Sequence, residues 1–120
     1  MHLDRERLPD TRDSVVHKFS VSGQEGYLIV GLYPDGRPGE LFIKIAKEGS
    51  TLAGLYDTVG IITSMALQYG TPIEALAEKL KHTHFEPSGH TKNPDIPYAT
   101  SLSDYIFQWL GQTFGEAGSD

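Results

Sequence analysis

The run Lys44-Ile45-Ala46-Lys47-Glu48-Gly49-Ser50-Thr51 gathers residue types that suit phosphate. A helix starting here would present unpaired N–H groups and the positive end of its dipole. Gly49 removes the side chain that would hold an anion at a distance. Ser50 and Thr51 add hydroxyls, and Lys44 and Lys47 add charge. The expected site is therefore a phosphate- or nucleotide-binding one made of Lys44, Lys47, Gly49, Ser50 and Thr51. Glu48 opposes it, and a plain helix cap by Ser50 or Thr51 is the alternative. The P-loop pattern GxxxxGK[ST] is absent.

A second cluster is His82, His84, Glu86 and His90. In an extended segment His82 and His84 face the same side, and imidazole with carboxylate suits zinc or iron. The spacing is no zinc signature, so no metal is assigned to this loop. No G-x-S-x-G elbow accompanies the serines and histidines, so no catalytic residue is assigned. The chain has no cysteine. Disulfides, thiolate zinc sites, a cysteine nucleophile and a thiyl radical are thereby excluded from its own residues.

The elements that must position these groups follow from pattern. Residues 15–21 alternate as an edge strand, with Val15, His17, Phe19 and Val21 on one side. Ser22-Gly23-Gln24 signals a turn. Tyr27 to Tyr33 is apolar on both faces and reads as a central strand. Pro34 to Gly39 is turn chemistry, and Leu41, Ile43 and Ile45 mark a third strand. Short connections imply an antiparallel meander. A helix follows with the stripe Leu52, Leu55, Tyr56, Val59, Ile62, Met65, Ala66 and Tyr69. Gly54 and Gly60 weaken its propensity but permit close packing, and Gly70 ends it. Thr71, Pro72 and Glu74 spell a capping box for a second helix. Residues 82–100 read as a long irregular loop. A third helix runs from near Ser101, with Asp104 at its third position, to about Phe114. One stripe of it is Leu102, Tyr105, Ile106 and Trp109. The other is Phe107, Leu110 and Phe114, which is expected to pack within the domain or to form a homo-oligomer or partner surface.

The fold class is therefore α+β: a three-stranded antiparallel meander followed by three helices packed on the sheet. Residues 1–13 are expected to be a flexible arm, 14–114 a single domain, and 115–120 a disordered tail. A chain of 120 residues suits one domain. Its formal charge of −6 argues against non-specific nucleic-acid binding, because it gives no general attraction to phosphate backbones. The first residues, MHLDRERLPD, form no secretory signal, and no apolar run approaches a membrane span of about 20 residues. A cytoplasmic location is expected.

Several contiguous stretches resemble a known family. They are Leu8-Pro9-Asp10-Thr11-Arg12, Val16-His17-Lys18-Phe19, Gly26-Tyr27, Gly31-Leu32-Tyr33-Pro34-Asp35-Gly36-Arg37-Pro38-Gly39-Glu40, Phe42-Ile43-Lys44, Ala46 to Thr51, Ala66 to Gly70, Phe85 to Gly89, Asn93 to Pro97 and Asp104 to Leu110. Over roughly residues 7 to 114 the chain is similar to the TSCPD family, the C-terminal domain of adenosylcobalamin-dependent (class II) ribonucleotide reductases. The resemblance implies an accessory or regulatory domain, or a free-standing relative of it, in deoxyribonucleotide synthesis. It implies that a ribonucleotide reductase catalytic subunit or domain is the partner. Adenosylcobalamin and the radical cysteine would belong to a separate barrel, with no cofactor held by this chain. An independent nucleotide-binding or oligomerisation module is the alternative.

Overall fold

The computed structural model describes residues 4–46 and 50–115. Three strands come first: β1 (Ser14–Val21), β2 (Gln24–Leu32) and β3 (Pro38–Ile45). Helices α1 (Ser50–Gln68) and α2 (Ile73–Leu80) follow, then the two-residue strands β4 (Gly89–His90) and β5 (Tyr98–Ala99), then α3 (Leu102–Phe114). The sheet is an antiparallel meander in the order β1-β2-β3, so the two-faced apolar run of β2 does lie in the middle. The chain divides into two compact units, Met1–Lys18 with Gly26–Thr71, and Phe19–Glu25 with Pro72–Asp120.

In the first unit β2 and β3 pair Leu28 with Ile43 and Val30 with Leu41, and all four side chains are buried. The alternate row pairs Tyr27 with Lys44 and Ile29 with Phe42; Tyr27, Phe42 and Lys44 are exposed. Helix α1 runs along the open edge of β3. Ser64 Oγ accepts from the Leu41 N–H at 2.8 Å, and Gln68 Nε2 donates to the Gly39 carbonyl at 2.9 Å. Four helical residues rise about 6 Å, close to the span of two strand residues. Gly60, Ser64 and Gln68 therefore meet Ile43, Leu41 and Gly39 in step, with opposite chain directions. A β-carbon on Gly60 would sit 2.8 Å from the Leu41 carbonyl oxygen. Such covering removes an exposed strand edge.

That placement corrects the stripe expected for α1. Its buried residues are Tyr56, Thr63, Leu67 and Gln68 with Gly60, whereas Leu55, Ile62 and Met65 of the expected stripe are exposed. A strand edge needs hydrogen-bonding partners and a thin helix surface, and the apolar residues are turned elsewhere.

The segment before β1, expected as a loose arm, makes specific bonds in the same unit. The Glu6 N–H donates to the Gln68 carbonyl, the Tyr33 hydroxyl donates to the Glu6 carbonyl, and Arg12 forks onto the Glu40 carboxylate at 2.7 and 2.8 Å. Arg37 bridges Glu6 and Asp35 across the Tyr33 ring.

Gly70, at φ +98°, ends α1 as expected; beyond it the Thr71 N–H donates back to the Ala66 carbonyl. The expected capping box does not form. Pro72 is the cap of α2, no side-chain cap bond is made, and Glu74 falls at the second helical position. Closing α1 has already used Thr71.

In the second unit α2 packs on α3 at Ala77 and Gly111, where an added β-carbon would lie 3.0 Å from Ala77. Ser101 caps α3, accepting the Asp104 N–H at 2.9 Å. The loop over 82–100 contains the β4–β5 ladder, and Thr91 bridges to Val21 at the β1–β2 hairpin tip. Phe107 and Leu110 are 1% exposed, and Phe114 sets its ring edge-on to Trp109. Phe107 and Leu110 of the second stripe are thus covered within this chain, and Phe114 is half-buried.

Candidate functional site

Of the residues expected to hold phosphate, Lys44 lies exposed near the end of β3 and Thr51 lies exposed in the first turn of α1. Ser50 opens α1. Lys47 and Gly49, with the opposing Glu48, lie outside the described residues, as does the tail over 116–120. The first turn of α1 carries no acidic side chain.

The histidine loop closes on a buried carboxylate. Asp104 is 1% exposed and accepts from the His82 N–H, the Thr100 N–H and hydroxyl, and Gln108 Nε2 at 2.5 to 3.1 Å. Burial pushes its carboxyl up, but these donors outweigh that and hold it below the usual carboxylate range. His82 Nδ1 lies 3.2 Å from the same carboxylate, while His90 packs edge-on against Tyr98. Ser101 Oγ is fully buried and donates to the Thr83 carbonyl, so it is no nucleophile. Among the described residues no three His, Asp or Glu side chains gather as a metal site. In the sequence, Asp104 is marked by its place in the cap and in a family-like stretch, not as an acceptor for distant donors. Its role as a hub is visible only when residues 82, 83 and 100 come together.

Each unit carries a groove among its described residues. In the second, about 360 Å³ lies between α2 and α3, lined by Glu74, Glu78, Lys81, His82 and Gln108 among others. In the first, about 420 Å³ lies between β3 and α1. Phe42, Ile61 and Met65 supply its apolar lining, with Arg5, Lys44 and Asp57 as its charges. Phe42 is 45% exposed and Ile61 65%. Arg5 reaches the Met65 sulfur with Nη1 at 3.4 Å, while its Nε is buried with no acceptor among the described residues. Nothing in the sequence pattern marked Arg5 or Ile61, because neither belongs to a motif. Both grooves are at the small end of ligand sites, about 300–1,000 Å³, and are ringed by charge.

The TSCPD domain profile matches residues 4–114. The chain belongs to the TSCPD domain family. It is 63% identical over 110 residues to a vitamin B12-dependent ribonucleotide reductase of Rhodopirellula baltica, a match that covers 92% of this chain and 11% of that protein. Identity to the enzyme of the same name from Streptomyces avermitilis is 46% over 110 residues, again 92% of this chain and 11% of that protein. For the Bradyrhizobium diazoefficiens enzyme it is 40% over 112 residues, 92% of this chain and 9% of that protein. The chain thus spans about a tenth of the length of these TSCPD-containing relatives. No solved structure matches it. No helix among the described residues is long and apolar enough to cross a membrane.

Proposed function

We propose that this TSCPD chain is an accessory domain of a vitamin B12-dependent ribonucleotide reductase, or a free-standing relative of that domain. It acts in cytoplasmic deoxyribonucleotide synthesis and leaves the chemistry to the reductase's catalytic chain. The observation that carries this is the 63% identity over 110 residues to a segment making up 11% of such an enzyme. The absence of cysteine agrees, since a thiyl radical has no residue here to form on. The chemistry that cobalamin supplies belongs to the larger protein, and this chain's residues fold, bind and position.

The test is complementation. The Rhodopirellula baltica enzyme lacking its matching 110 residues is assayed for ribonucleotide reduction with and without this chain. Restored or re-regulated activity supports the reading. Unchanged activity, with no association between the two, opposes it. The chain alone with adenosylcobalamin is expected to reduce no ribonucleotide.

A second reading is a phosphate-bearing ligand at the start of α1, held by Lys44, Lys47, Gly49, Ser50 and Thr51. The first turn without acidic residues and the exposure of Lys44 and Thr51 favour it. Titration with a panel of nucleotides tests it: binding that Gly49→Asp abolishes supports the site, and no binding at millimolar concentration removes it.

A further inference from the structure

The groove between β3 and α1 is apolar along its floor and unbalanced in charge at its rim. Exposed Phe42, Ile61 and half-exposed Met65 form the floor. Clustered exposed apolar side chains mark interaction surfaces, whereas scattered ones do not. Two cations, Arg5 and Lys44, stand against one anion, Asp57. Glu40 also lines the groove, but its carboxylate is taken by both nitrogens of the Arg12 fork. Arg5 Nε is buried without an acceptor among the described residues. A buried donor left unpaired is unfavourable, which makes Arg5 a side chain that an added acceptor would stabilise.

We propose that this groove docks an apolar segment carrying a carboxylate, contributed by the rest of a reductase polypeptide. Phe42, Ile61 and Met65 receive the apolar part, and Arg5 with Lys44 receives the carboxylate. This rests on the accessory-domain reading and deepens it by naming the surface. One observation favours this occupant over a second copy. The relatives hold the matching domain within chains about nine times longer, so the partner surface is covalently at hand.

The experiment measures affinity of this chain for the Rhodopirellula baltica enzyme lacking its own matching segment, by calorimetry. That partner is first checked for fold by circular dichroism and cobalamin binding. Ile61→Asp and Arg5→Glu are each expected to weaken binding about tenfold or more, and Tyr98→Asp on β5 to leave it unchanged. Lys44→Glu is the further variant in case Arg5→Glu disturbs the segment before β1; urea midpoints monitor every variant. If the wild type binds and the groove variants bind equally well, the groove assignment is overturned while the accessory reading stands. If the wild type does not bind, both fall. If the wild type self-associates and Ile61→Asp makes it monomeric by light scattering, the occupant is a second copy and the proposal is overturned.

Discussion

Helices α1 and α3 begin from similar apolar content and end in opposite surroundings. Seven of the thirteen residues of α3 are buried, among them Asp104, and its cap is satisfied by Ser101. Helix α1 is longer, yet it leaves Leu55, Ile61 and Ile62 at least 60% exposed. The difference lies in what each helix is packed to satisfy. Helix α3 buries most of two apolar stripes and a carboxylate whose donors come from the loop before it and from Gln108 one turn on. Helix α1 closes a strand edge with Ser64 and Gln68, and its isoleucines are left to water or to a partner. Within this small fold, α3 is buried along most of its length, and α1 leaves an apolar face open.

Breaking that contrast begins with the isoleucines. Ile106→Ala removes a fully buried side chain and is expected to cost about 3 kcal/mol, read from urea unfolding. Asp104→Ala leaves the His82 and Thr100 N–H groups and Gln108 without their acceptor, at about 2–3 kcal/mol. The same carboxylate gives a pH signature. Its pKa is lower folded than unfolded, where a free Asp lies near about 3.9, so its contribution is present above that value and is lost as pH falls through the folded pKa. Acid unfolding should therefore steepen below about pH 4, and Asp104→Ala should remove that part of the slope.

Two glycines of α1 sharpen the comparison from within one helix. Gly60→Ala sets a β-carbon 2.8 Å from the Leu41 backbone oxygen. Its helix-propensity gain is outweighed, and a net loss of about 1–2 kcal/mol is expected. Gly54→Ala meets nothing within 4 Å, so the same change should stabilise by up to about 1 kcal/mol. Thermal melts of the two variants should move in opposite directions. The smallest effect is Ile62→Ala, 63% exposed, at within about 0.5 kcal/mol. An Ile62→Ala loss comparable to that of Ile106→Ala would erase the distinction between the helices.

Much of this was legible before folding. Alternation marked the strands, the two-faced run from Tyr27 to Tyr33 marked the middle one, and Ser101 and Gly70 marked helix ends. The face that α1 buries was not legible, because periodicity reports where apolar residues recur and not where a neighbour lies. Ser64 and Gln68 answer backbone groups of β3, a need with no apolar signature. The capping box at Thr71 failed because the preceding helix had a prior use for that N–H. Strands β4 and β5 are two residues each, too short for any pattern. The groove was missed for a related reason: Arg5, Phe42, Ile61 and Met65 come from three separate segments, and only Lys44 had been singled out. Lys47 and Gly49 of the expected phosphate site lie outside the described residues, so that site stays a proposal about sequence.

The most direct measurement is hydroxyl-radical footprinting of this chain with and without the Rhodopirellula baltica reductase that lacks its matching segment. Docking through the open side of the first unit predicts that labelling of Phe42, Ile61 and Met65 falls on mixing while labelling of Tyr98, also exposed, stays constant. Unchanged labelling of the three groove residues, or protection of Tyr98 in their place, would contradict the account.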